Sequence, residues 1–301
     1  MKIGLALGSG AARGAAHIGV IKALERLGLK PDIVCGCSIG AMIGAAYVNG
    51  NLERLEHWFG KLTRLEMLRY FEVNFAGSGI VKAETFSEFL AGEICDPDLD
   101  MEALDTKFAS VATEIRSGKE VWLQRGNLLD AVRASIALPG LFRPVALDGG
   151  WLVDGGLVNP VPVSICRSLG ADLVIAVNLN TDIVGKHFIE RENAADADMV
   201  AHWRQRFSAY SNSWLGGLFE KNHAPGLFDT LASSFNIMQD RITRSRMAGD
   251  PPDVTLSPRL SHIGLLEFYR ASAAMAEGEA TVKRMATEIE YVVAQRLAVE
   301  G

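Results

Sequence analysis

The chain lacks any apolar run approaching the roughly 20 residues that a membrane-spanning helix needs. Its first residues, MKIGLALGSGAARGAA, imitate a short signal peptide, but Arg13 breaks the apolar core early. That stretch is read instead as a first β-strand and the loop after it. Cysteine is scarce. Cys35, Cys37, Cys95 and Cys166 show no C-x2-C spacing, and the first two are too close for an ordinary bridge. A zinc module and a disulfide scaffold are thereby disfavoured, and reduced thiols in a cytoplasmic protein are expected. Positive charge is not in excess, since the formal net charge is -6. The protein therefore has no general attraction for nucleic acid or anionic lipid, and either would need a local basic patch. Internal repeats and low-complexity tracts are also missing.

What is present is ordinary globular material, with 49% hydrophobic and 22% charged residues. Lys2–Leu7 is a short apolar run ending at Gly8, which suits a buried strand. Gly14–Leu27 has helical spacing, with Val20, Ile21, Leu24 and Leu27 on one face and Gly28 as the stop. Asp32–Cys35 reads as a second strand and Ile39–Val48 as a second helix. Strand and helix alternating at this spacing predict a mostly parallel central sheet flanked by helices, an α/β fold. Residues 51–105 look mainly helical. Strands are expected at Phe108–Thr113, Glu120–Leu123, Leu173–Leu179 and Asp253–Ser257, and helices at Leu128–Ser135, Val163–Leu169 and within Leu265–Val299. Asp148–Pro162, rich in Gly, Asn and Pro, reads as loop.

Three glycine-bearing motifs carry chemistry. Gly36-Cys37-Ser38-Ile39-Gly40 fits G-x-S-x-G between a predicted strand and a predicted helix. Such a turn lifts a serine hydroxyl clear of the sheet, and the helix N-terminus favours developing negative charge. The plainer reading is a chance match at a tight turn, and the strand–turn–helix context favours the nucleophile. Gly8-Ser9-Gly10-Ala11-Ala12-Arg13-Gly14 also links strand to helix and offers backbone N–H groups to an anion. A dinucleotide is disfavoured there. Arg13 occupies the last glycine position of G-x-G-x-x-G, and the end of the second strand holds Cys35-Gly36-Cys37 and no acid. No Walker lysine is present. Asp154-Gly155-Gly156, taken alone, is an ordinary turn.

The base is less plain from residues alone. Among His17, His57, His187, His202, His223 and His262, only the last two lie late enough for a Ser-His-Asp triad, and neither sits in a convincing strand-end loop. A Ser–Asp dyad needs no histidine, at the cost of a weakly basic aspartate. A triad-bearing α/β-hydrolase is further disfavoured because its serine usually follows several strands.

In this order the three motifs resemble the patatin-like phospholipases, and the register resembles bacterial members of the neuropathy target esterase (NTE) branch. The matching stretches are LALGSGAARG, VCGCSIGA, SIALPGLFRPV, LVDGGLVNPVPV, LGADLVIAVNL and RMAGDPPD. The resemblance implies a three-layer α/β/α fold and a serine acyl-hydrolase acting on lipid carboxyl esters through an acyl-enzyme. It implies Ser38 as nucleophile and Asp154 as base. It also implies Gly8, Ser9, Gly10, Ala11, Arg13 and Gly14 as the oxyanion loop. The loop reads G-S-G-A-A-R-G and not a plain run of three glycines, which leaves open which amides point inward; Gly10 and Ala11 are the first candidates. Arg13 is expected mainly to pin that loop, and Ser135–Pro144 to shape the acyl pocket. No metal or other cofactor is required. A catalytically silent regulator of the same fold is the alternative, disfavoured by intact Ser38 and Asp154.

One domain is expected: a catalytic core over 1–180, a variable helical segment over 181–240, and a last strand with closing helices over 241–301. The middle segment carries Trp203, Phe207, Trp214, Phe219 and Phe228 among Arg204, Arg206 and Lys221. It is read as a cap or membrane-contact surface, with Arg241, Arg244 and Arg246 as the local basic patch. Burial of these aromatics against the core, or a homo-oligomer contact, are the competing readings. The expected partner is a lipid or acyl ester met in the cytoplasm or at the inner face of the membrane.

Overall fold

The computed structural model describes residues 1–66, 83–183 and 227–300. It is one α/β domain. Strands β1 (Ile3–Leu7), β2 (Ile33–Cys37), β3 (Lys107–Glu114), β4 (Glu120–Leu123), β5 (Val145–Leu147), β6 (Gly150–Asp154), β7 (Leu173–Val177) and β8 (Val254–Leu256) form one sheet among the described residues. Its order is β5-β6-β3-β2-β1-β7-β8, with β4 added on β3. β1, β2 and β7 are buried at every position, as parallel strands covered on both faces must be.

Helices α1 (Ala16–Arg26), α2 (Ile39–Val48), α3 (Leu52–Lys61), α4 (Ala83–Glu93) and α5 (Leu128–Ser135) precede the two last strands in sequence, together with α6 (Val163–Ser168). Two long helices, α7 (Leu227–Gly249) and α8 (Ala271–Glu300), follow β7 and flank β8. The larger core cluster joins α1, α2, α3 and α5 to one face of the sheet through Ile18, Ile43, Leu55 and Val132. A smaller cluster packs α6 on the other face through Ile165 and Cys166 against Ile33, Cys35 and Val174. All four cysteines are buried and free.

Two expectations are corrected. Asp148–Pro162 is not one loop: it holds β6, and β5 precedes it. Asp148-Gly149 is the two-residue turn of a β5–β6 hairpin, with Leu147 paired to Gly150 and φ of 49° and 78° at the two turn positions. Positive φ at both is what a type I′ hairpin turn demands. The first helix does not start at Gly14, because a 3₁₀ turn over Ala11–Ala15 precedes α1.

Residues 184–226 lie outside the described residues, and so do Trp203, Phe207, Trp214, Phe219 and most of the expected cap. α7 runs unbroken across position 240, where the sequence reading drew a boundary. Two of the three arginines of the basic run are held in ion pairs. Arg244 Nε donates to both carboxylate oxygens of Asp240, and Arg246 pairs with Glu120.

Candidate active site

β2 runs parallel to β3 and β6 runs antiparallel to it. β4 pairs with Ser110–Thr113, overlapping the stretches that pair with β2 and β6, so β2 and β6 must share the opposite edge of β3. On that edge Cys37 faces Val111 and Asp154 faces Ala112. The C-terminal ends of the two strands therefore meet head-on. Ser38, the next residue after β2, is delivered to Asp154: its Oγ donates to Asp154 Oδ2 at 2.6 Å across a sequence separation of 116 residues.

Ser38 has φ 55° and ψ −123°, a strained conformation at the strand-to-helix turn. Its N–H donates to Ser135 Oγ at 2.9 Å, and α2 begins at the next residue. The turn requires its glycines. A Cβ at Gly36 would run into the Ala41 backbone, and one at Gly40 into Leu7 O and Gly8 O. The second contact also brings the start of α2 against the end of β1, where the Gly8–Gly14 loop begins.

Asp154 is 1% exposed. Its Oδ1 accepts from Gly156 N at 2.7 Å, its N–H donates to Ala137 O at 3.0 Å, and its carbonyl accepts from Thr113 Oγ1 at 2.9 Å. Burial raises its pKa to about 6, opposed by the hydrogen bonds from Ser38 and Gly156. An aspartate is thus made more basic than in water while staying ionisable near neutrality. The neighbouring Cys37 thiol is pushed well up by burial and then by the charges of Asp154 and Glu120, so it stays protonated.

Within the Gly8–Gly14 loop, most amides are already committed. Gly8 N donates to Val177 O, Ser9 N to Pro160 O, Ala12 N to Leu265 O and Arg13 N to Gly10 O. Among the described residues, the N–H groups of Gly10 and Ala11 find no acceptor. Ala11, at φ 49°, is the second strained residue of the site and lines the same cavity as Ser38. Gly14 packs against the Ile39 side chain. Arg13 is 1% exposed, and its pKa is lowered to about 10 by burial, with Asp182 opposing the fall. Its side chain donates inside the protein, from Nε to Gly10 O and from Nη2 to Asn236 Oδ1.

A cavity of about 110 Å³ opens at Ser38 and is almost purely apolar. Met42, Trp58, Phe86, Phe89, Leu138 and Phe142 contribute to its wall. The last two come from the Ser135–Pro144 segment. His17 lies buried with Nε2 at 2.7 Å from Gly8 O, and burial lowers its pKa to about 4, so the neutral ring donates there. His57 and His262 are exposed. Neither bonds to Ser38 or Asp154 among the described residues. His187, His202 and His223 lie outside them.

Sequence reasoning missed Ser135 and Thr113, which hold the Ser38 amide and the Asp154 carbonyl. It also missed Asn180, Asn236 and Gln239, which lie behind the Gly8–Gly14 loop. A buried hydroxyl or amide inside an otherwise apolar segment leaves no periodic signal.

The model of the patatin-like phospholipase family matches residues 5–167, a span that includes Ser38, Asp154 and the Gly8–Gly14 loop. The chain belongs to the patatin-like phospholipase family. Within that family the likeness is to the NTE branch. An uncharacterized NTE family protein of Mycobacterium tuberculosis is 32% identical over 100% of this chain and 96% of its own length. Lysophospholipase nte1 of Emericella nidulans is 34% identical over 60% of this chain, a stretch that makes up 12% of that protein. Among solved structures, VipD of Legionella pneumophila aligns over 98% of this chain and 79% of its own, at 14% identity and a TM-score of 0.35.

Proposed function

We propose that the protein hydrolyses carboxyl esters of lipids by two-step acyl transfer. The single observation that carries this reading is the 2.6 Å bond between Ser38 Oγ and Asp154 Oδ2 at the mouth of an apolar cavity. Ser38 attacks the ester carbonyl as its proton passes to Asp154, whose raised pKa suits a base working near neutrality. The oxyanion is taken by the N–H groups of Gly10 and Ala11, with the N-terminus of α2 adding favourable dipole. Asp154 returns the proton to the departing alcohol. Water then attacks the acyl carbonyl as its proton passes to Asp154, and Asp154 returns that proton to Ser38 Oγ as the fatty acid leaves.

The apolar cavity fits a hydrocarbon chain and offers nothing for a charged head group, so the acyl chain enters it and the alcohol moiety faces outward. Relatives named lysophospholipases favour a glycerolipid as the alcohol part. No helix among the described residues is long and apolar enough to cross a membrane.

The test is a panel of lysophospholipids, diacyl phospholipids and nitrophenyl acyl esters given to purified protein and to Ser38→Ala. Turnover of one or more by wild type, abolished in the variant, is expected. Absence of turnover across the panel would remove the reading.

A further inference from the structure

The Gly10 and Ala11 amides proposed above lie where β1 has ended and the 3₁₀ turn over Ala11–Ala15 is only beginning, so no strand ladder sets their direction. Their orientation must come from something else, and the carbonyls of the same peptide units show what it is. In a planar trans peptide the C=O of one residue and the N–H of the next point in opposite directions. Anchoring the carbonyl therefore aims the amide.

Three consecutive carbonyls of the loop are anchored by side chains. Gly8 O accepts from His17 Nε2 at 2.7 Å, Ser9 O from Asn180 Nδ2 at 3.4 Å, and Gly10 O from Arg13 Nε at 3.1 Å. The last two belong to the peptide units whose N–H groups are those of Gly10 and Ala11. Asn180 and Arg13 are in turn held by α7. Gln239 Oε1 accepts from Asn180 Nδ2 at 3.0 Å, and Asn236 Oδ1 accepts from Arg13 Nη2 at 3.0 Å. Asn236 and Gln239 stand three residues apart on one helical face and are 4% and 2% exposed. Gln239 also lies against Gly156, where a Cβ would strike its amide nitrogen. One helix face thus touches both halves of the site, the oxyanion loop and the Asp-Gly-Gly turn.

We infer that Asn180, Asn236 and Gln239 are positioning residues that aim the Gly10 and Ala11 amides, with α7 acting as the clamp. The inference rests on the hydrolase reading for its catalytic consequence, but the clamp itself does not. Buried amides in these numbers are costly unless each is bonded, which is reason to keep them only where a geometry must be held. None of the three touches the reacting atoms.

The test uses the full chain in three forms: wild type, Asn236→Leu and Asn236→Asp. Leucine keeps the volume and removes the acceptor. Aspartate restores an acceptor for Arg13 Nη2. Gln239→Met provides a second break in the clamp should Asn236→Leu fail to fold. The first readout is amide hydrogen exchange of the peptide containing Gly8–Ala12. Exchange is expected to speed up in Asn236→Leu and Gln239→Met and to return toward wild type in Asn236→Asp. The second is the split between kcat and KM on a nitrophenyl acyl ester. kcat should fall about 10- to 100-fold in the two broken forms with KM nearly unchanged, because an oxyanion exists only beyond the ground state. Asn236→Asp should recover most of kcat. Unchanged exchange and unchanged kcat in both broken forms would overturn the inference, and so would a loss that Asn236→Asp fails to rescue. Absence of turnover in the wild type would count against the hydrolase reading alone, since the exchange measurement decides the clamp by itself.

Discussion

Cys37 and Asp154 occupy consecutive places on one edge of β3, Cys37 opposite Val111 and Asp154 opposite Ala112. Two strands from distant parts of the chain, running in opposite directions, end there against each other. Ser38 and Asp154 are neighbours because of this junction.

Ser38 should be the one serine that reacts with an organophosphonate probe. Its hydroxyl is bonded to a carboxylate and its backbone is held in the strained turn conformation at φ 55°. Mass spectrometry of the labelled protein should find the adduct on the peptide containing Ser38, and Ser38→Ala should remain unlabelled. An adduct on another serine in wild type would mean a different nucleophile.

The pH dependence of turnover should follow Asp154. A base must be ionised, and burial places this carboxyl at about 6. kcat/KM should therefore fall about tenfold per pH unit below that value and level off above it. Asp154→Asn should lose turnover by about 10²–10⁴-fold at pH 7.5 and erase the acidic limb. Replacement of each histidine singly should leave the profile in place. A limb that moves with any one histidine would assign the base elsewhere.

Asp154 should also make the fold less stable as the pH rises. Its pKa is higher in the folded chain, about 6 against an ordinary 3.8. Between these values the unfolded chain has lost the proton and the folded chain keeps it, so stability falls with rising pH, in total by on the order of 3 kcal/mol. Above about 6 the full loss is present. Asp154→Asn keeps the shape and can still accept from Gly156 N while carrying no charge. Its melting temperature should exceed that of wild type at pH 8, and the gap should close by pH 4. Equal melting temperatures at pH 8 would show that the carboxylate is not desolvated.

Phe142 should limit the acyl chain. It lines the cavity and lies against Phe86, ring centroids 4.9 Å apart. Each added CH₂ that fits should improve kcat/KM by up to about fourfold, since burying one contributes about 0.8 kcal/mol. The gain should stop at a definite length in wild type and at a longer one in Phe142→Ala, measured over a series of straight-chain nitrophenyl esters. A series with the same break point in both would place the acyl chain elsewhere.

Gly40→Ala should be poorly tolerated even though alanine is the better helix former. The added methyl would meet Leu7 O and Gly8 O, backbone atoms at the end of β1 and the start of the loop after it, which cannot swing aside as a side chain could. Overpacking of this kind costs about 1–3 kcal/mol. Urea denaturation should register that loss. A neutral or stabilising effect would mean that β1 and α2 are not in contact.

Much of this was legible along the chain. Buried strands announced themselves as unbroken apolar runs, and β7 and α2 fall close to where periodicity put them, because local burial and helix spacing are written in consecutive residues. The G-x-S-x-G turn was readable for the same reason: its constraint is local, a serine between two glycines at a strand-to-helix corner. The β5–β6 hairpin was misread although its Asp148-Gly149 pair is a turn signal, because the glycine-rich surroundings masked two short strands. What consecutive residues could not give was the meeting of distant ones. Asp154-Gly155-Gly156 looks like any turn until β6 is seen to end against β2. Arg13 could have faced an anionic ligand until Asn236 was found behind it. Sequence determines which segments bury themselves and which corners are tight, since those follow from neighbours within a few positions. The order of strands on β3 and the helix face behind the Gly8–Gly14 loop were decided only by tertiary packing, because a partner more than a hundred residues away imposes no period on the chain.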